Sequence, residues 1–79
     1  MKLPRDVSGR SLVKALCRDW GYLQVHQVGS HVILQTDTPQ PHRISIPDHS
    51  PLRLGTFNAI LRAVAQAKQV SKDDVLRSL

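Results

Sequence analysis

The stretch VGSHVIL, Val28 to Leu34, holds two apolar, β-prone runs apart with only Gly29 and Ser30 between them. A glycine at the first central position is what a two-residue type II′ turn requires. The stretch is therefore a hairpin turn, and its flanks, Tyr22 to Val28 and His31 to Asp37, read as antiparallel strands rich in Val, Ile and Leu. A two-residue turn sets Val28 against His31, Gln27 against Val32, His26 against Ile33 and Val25 against Leu34. Period-two alternation then puts Leu23, Val25, Val32 and Leu34 on a core face. Gln24, His26, His31, Ile33 and Gln35 fall on the opposite, solvated face. One question follows: why does a histidine occupy the first residue after the turn?

Upstream of the hairpin, Leu12, Val13, Leu16, Cys17 and Trp20 recur at three- and four-residue spacing, the signature of one buried helical face. Ser8 caps that helix, and Gly21 supplies the left-handed residue that ends it. Arg10, Lys14 and Arg18 form a basic stripe on its outer face. Downstream, Thr38 to Pro41 is a turn, and His42 to Pro47 a third strand with Ile44 and Ile46 inward and Arg43 and Ser45 outward. Phe57, Ile60, Leu61 and Val64 mark a second helix starting near Gly55 or Thr56. Ser71-Lys72-Asp73-Asp74 has the form of a capping box opening a last short helix with Val75, Leu76 and Leu79. The expected class is α+β, one domain over residues 1–79, in the order α-β-β-β-α with an extra short C-terminal helix. A three-stranded antiparallel sheet with both main helices on its apolar face buries every apolar stripe. The other face is left open.

Composition narrows the function. Eleven Lys and Arg stand against six acidic residues, every one an aspartate, for a formal charge of +5 in 79 residues. Such a surface attracts polyanions, nucleic acid first among them. One cysteine, Cys17, excludes an intramolecular disulfide framework and fits a reducing, cytoplasmic compartment. No apolar run approaches the roughly 20 residues of a spanning helix, and no secretory h-region follows Met1, so no membrane association is expected. The four histidines match no metal-ligand spacing, and neither metal nor cofactor is expected. Trp20, Tyr22 and Phe57 fall at core or helix-end positions, which argues against a base-stacking platform.

Together these residues resemble the HicA family, the toxins of type II toxin-antitoxin modules. The likeness runs from Lys2-Leu3-Pro4 through Ser8-Gly9-Arg10 and Trp20-Gly21-Tyr22 to the tripeptide Gly29-Ser30-His31. It continues with Ile44 to Pro47, His49 two residues later, and Gly55-Thr56 opening a helix that carries Ile60-Leu61. Gln27 and Val28 stand where basic residues are common in the family, and the turn Thr38 to Pro41 replaces a glycine-rich one.

The resemblance implies a double-stranded-RNA-binding-domain-like fold and a metal-independent endoribonuclease, an mRNA interferase. His31 would be the residue required for cleavage, and a HicB-type antitoxin would neutralise it as a hetero-oligomer. The residue reading agrees: imidazole moves protons near neutral pH, and the small residues Gly29 and Ser30 leave room for a phosphodiester of mRNA to approach. Lys2, Arg10, Lys14 and Arg43 are the expected phosphate contacts, with His26 beside His31 on the open face. His49 is expected to hold loop geometry, and His42 to be exposed. Two rival readings remain: a non-catalytic RNA-binding module that uses Arg10, Lys14 and Arg18, and a protein that only binds the antitoxin.

Overall fold

Six elements follow one another in the order helix, three strands, helix, helix: α1 (Gly9–Asp19), β1 (Leu23–Val28), β2 (His31–Thr36), β3 (His42–Pro47), α2 (Leu54–Lys68) and α3 (Lys72–Arg77). The structure, a computed structural model, describes Pro4 and residues 6–79. The α+β order is the one expected from the sequence.

Local chemistry explains the boundaries. Ser8 caps α1 by accepting the Ser11 N–H on its Oγ at 3.0 Å, and Gly21 at φ 72° turns the chain out of the helix. Gly29 at φ 58° followed by Ser30 at negative φ is the type II′ combination. At the end of α2 the left-handed position falls to Gln69, at φ 59°. Ser71 and Asp74 complete the capping box that starts α3.

The sheet order is β1-β2-β3, antiparallel throughout. Both main helices pack on one side of it, closest to β3. Leu12 and Leu16 of α1, Val32 and Leu34 of β2, Ile46 of β3, Phe57, Leu61 and Val64 of α2, and Val75 of α3 are fully buried between the layers with Tyr22. Each such side chain contributes on the order of 1.5–3 kcal/mol. Ile44 is half-buried against this core. Trp20 closes the far corner, its indole N–H donating to Ser78 Oγ at 2.7 Å.

The strand register holds at Val28–His31, Gln27–Val32 and His26–Ile33, then slips. A β-bulge between Gln24 and His26 pairs Gln24, not Val25, with Leu34, and Leu23 with Gln35. An extra residue inverts the facing of everything beyond it. Leu23 therefore joins the open face instead of the core, and Leu23 and Val25 are 70% and 47% exposed. The expectation that both are core residues is wrong for a second reason as well. The helices crowd β3, so β1 hangs at the free edge with all six residues exposed.

Candidate active site

The type II′ turn puts His31 on the first pleat of β2, pointing to the face that no helix covers. Its ring is exposed, and Nδ1 lies 3.2 Å from Ser45 Oγ on β3. Ser45 pairs with Ile33, so the contact is a cross-strand diagonal. His26 also pairs with Ile33, from the β1 side. Ile33 is thus flanked by His26 and Ser45, with His31 one pleat toward the turn. A serine hydroxyl both donates and accepts, so Ser45 can partner Nδ1 in either protonation state of the ring. Nε2 is left without a hydrogen-bond partner among the described residues.

Farther along the same face Arg43 donates to Gln35 Oε1 from Nε and Nη2, at 3.2 and 2.8 Å. It sits two residues from Ser45, about 7 Å along the strand. None of the three strands contains an acidic residue, so no strand carboxylate repels an anion on this face.

The turn is held from behind. Asp48 N–H donates to the Ser30 carbonyl at 2.6 Å, and Arg10 Nη2 reaches Asp48 Oδ2 at 2.7 Å. Gly9, buried at the start of α1, donates its N–H to the His49 carbonyl at 2.8 Å. A Cβ there would overlap the Pro47 carbonyl oxygen, so only glycine lets α1 approach the end of β3 this closely. His49 contributes its backbone carbonyl to this junction.

The profile of the family described as HicA toxin of bacterial toxin-antitoxin matches residues 9–66, which span α1 through most of α2 and contain the whole hairpin. The chain belongs to the HicA toxin family. No curated protein and no solved structure matches it. A HicA toxin is one half of a toxin-antitoxin module, so an antitoxin partner comes with the assignment.

Within this HicA chain the other cations named from sequence divide by position. Arg10 is brought to the turn through Asp48, but its charge is already paired there. Lys14 lies one turn farther along α1, exposed, in the helical layer rather than on the open face of the sheet. Arg18 is bound to Asp19 at 2.9 Å, which also holds the Asp19 carboxyl below its usual range. Lys2 lies outside the described residues. Gly29 and Ser30 stand open to solvent, and a side chain on Gly29 would meet nothing within 4 Å.

His42 is not exposed as expected. It is half-buried on the helix side, its Nδ1 2.8 Å from the hydroxyl of fully buried Tyr22. Burial pushes the Tyr22 phenol up to about 12, so at neutral pH it stays protonated, and the hydroxyl and His42 Nδ1 satisfy each other. Lys68 Nζ caps the same end, donating to Thr36 Oγ1 and the Thr38 carbonyl at 2.8 and 2.6 Å and lying 4.9 Å over the Tyr22 ring. A cleft of about 440 Å³ beside His42, lined by Gln40, Gln66 and Gln69 among others, is at the end of the sheet remote from His31. Among the described residues no three His, Cys, Asp or Glu cluster as metal ligands. Cys17 is partly buried against the core, and burial raises its thiol.

Ser45 and Asp48 are two members of the site that the sequence did not assign to it. The outward parity of Ser45 on β3 was visible, but not that its hydroxyl meets His31.

Proposed function

We propose that this HicA chain is a metal-independent endoribonuclease, an mRNA interferase, that cleaves RNA through His31. The observation that carries the reading is the His31–Ser45 pair, an exposed imidazole with one nitrogen anchored and the other free on a face without acidic strand residues. The reaction this suits is internal transfer. The ribose 2′-oxygen forms a bond to the adjacent phosphorus, the bond from phosphorus to the 5′-oxygen breaks, and a 2′,3′-cyclic phosphate is left.

His31 Nε2 takes or gives the proton that moves in this exchange. Proton transfer by a positioned side chain contributes on the order of 10²- to 10⁴-fold. Nδ1–H donating to Ser45 Oγ supports the ring when Nε2 acquires a proton. Arg43 supplies positive charge to the RNA backbone, His26, one diagonal from His31, can donate a ring N–H to a phosphate oxygen, and the small turn residues Gly29 and Ser30 admit the backbone. Neutralisation by a HicB-type antitoxin follows from an acidic partner surface covering the same face.

The test is incubation of defined single-stranded RNA with purified wild type and His31→Ala, EDTA present, with product ends identified. Cyclic phosphate ends from wild type alone are expected. If both proteins bind RNA and neither cuts it, the chain is a binding module and this reading fails.

A further inference from the structure

We propose that the free edge of β1 is where the antitoxin docks, by adding an extended segment of apolar and acidic side chains as a fourth strand. This deepens the neutralisation part of the proposed function; it rests on the family's antitoxin partnership, not on His31 as the cleaving group.

The two edges of the sheet are built differently. The β3 edge carries Arg43 and ends in Pro47, and both main helices pack closest to it. β1, Leu-Gln-Val-His-Gln-Val, has no lysine, arginine, aspartate or proline in six residues, and every one is exposed. Natural sheets protect exposed edges with charge, proline, cover or a bulge; the bulge in β1 lies at Val25, and the stretch from His26 to Val28 beside the turn has none of these and is a template for another strand. Leu23, Val25 and Val28 are 70%, 47% and 57% exposed. The backbone supplies the rest. In a two-residue hairpin Val28 and His31 form the hydrogen-bonded pair, so at the next pair the N–H and C=O of Gln27 point away from β2. The bulge at Val25 turns Leu23 onto the open face beside Val28's side of the sheet.

Charge selects the occupant. A strand added beside β1 places alternate side chains next to His26 and Val28, one strand from His31, on a face whose ionisable strand residues are His26, His31 and Arg43. Acidic residues there would occupy the region a substrate phosphate needs. A second copy of this chain would instead bring one net charge of +5 against another, with no carboxylate in any strand to offset it.

The deciding experiment is backbone amide exchange of the intact chain, alone and in complex with the purified antitoxin of the module. The Gln27 amide is expected to exchange at least tenfold more slowly in the complex. Gln27→Pro removes the outward donor without touching a ladder bond, and is expected to weaken antitoxin binding at least tenfold while Arg62→Ala, on the exposed side of α2, binds as wild type. Should Gln27→Pro not fold, as judged by circular dichroism, Val28→Lys takes its place. Antitoxin protection confined to the helical layer, or wild-type affinity in a folded edge variant, overturns the proposal. So does a homodimer of the free chain that Gln27→Pro converts to monomer. Because none of these readouts is RNA cleavage, failure here and failure of His31 as the nuclease residue are told apart.

Discussion

His31 and His42 sit in one sheet, at opposite ends and on opposite faces, and their surroundings could hardly differ more. His42 is half-buried on the helix side, bonded to the hydroxyl of a fully buried tyrosine and close to the Lys68 bridge. His31 is exposed, anchored through one nitrogen to Ser45, and backed by a turn tied down through Asp48 and Gly9. The difference separates a histidine that satisfies a buried hydroxyl from one that the fold presents to solvent and keeps oriented. Each has one ring nitrogen engaged. At His42 the fold uses that bond to settle its own core, whereas at His31 the bond only aims the ring outward.

The sharpest way to break this contrast is to remove each ring in turn. His31→Ala is expected to lower RNA cleavage about 10²- to 10⁴-fold and to change stability by no more than about 0.5 kcal/mol, as for an exposed residue. His42→Ala is expected to do the reverse, costing about 1–3 kcal/mol by orphaning the Tyr22 hydroxyl with cleavage per folded molecule unchanged. Denaturant unfolding beside the cleavage assay reads both, and equal behaviour of the two variants would erase the distinction.

The scaffold behind His31 can be broken directly. Gly9→Ala drives a methyl into the Pro47 carbonyl, and overpacking of this kind costs about 1–3 kcal/mol. Its urea midpoint is expected to fall. Cleavage is expected to fall with it even under folding conditions, because the loop that fixes Ser30 must move.

The His42 end has its own pH signature. Burial raises the Tyr22 phenol from 10.0 to about 12 in the folded chain. The unfolded state therefore loses its proton first, and the stability this group contributes is intact below pH 10 and lost between pH 10 and about 12. Relative to Tyr22→Phe, wild type is expected to lose stability across that window. Parallel stability curves for the two proteins would show that the phenol is not held in a desolvated site.

The smallest effect is expected at Ser45. Ser45→Ala leaves His31 in place but frees its ring, and a loss of about three- to tenfold in cleavage follows if one neutral hydrogen bond of about 0.5–1.5 kcal/mol orients it. A pH-rate profile that moves with Ser45→Ala, and recovers in Ser45→Thr, would tie the serine to His31 rather than to sheet stability.

Much of this molecule was legible in its sequence. Ser8, Gly21, Gly29-Ser30 and the Ser71–Asp74 box all act where the sequence placed them. The hairpin register was right for the three pairs nearest the turn and wrong from Val25 onward, because a bulge leaves no mark in an apolar alternation that continues past it. The exposed Leu23 and Val25 were invisible for the same reason, and because periodicity does not say how far a helical layer extends over a sheet. His42 was misread because its partner, Tyr22, lies 20 residues away.

By itself, then, the sequence determined the order of the elements, their caps, the II′ turn and the outward parity of His31, Arg43 and Ser45. Each of these depends on φ preferences and side-chain periods among residues a few positions apart. Only the tertiary structure decided that Ser45 meets His31 across 14 residues, that Arg10 is drawn to the turn through Asp48, and that β1 remains an uncovered edge. Those outcomes follow from where the helices pack on the sheet and where one extra residue bends a strand, and both are settled by the balance of burial over the whole chain.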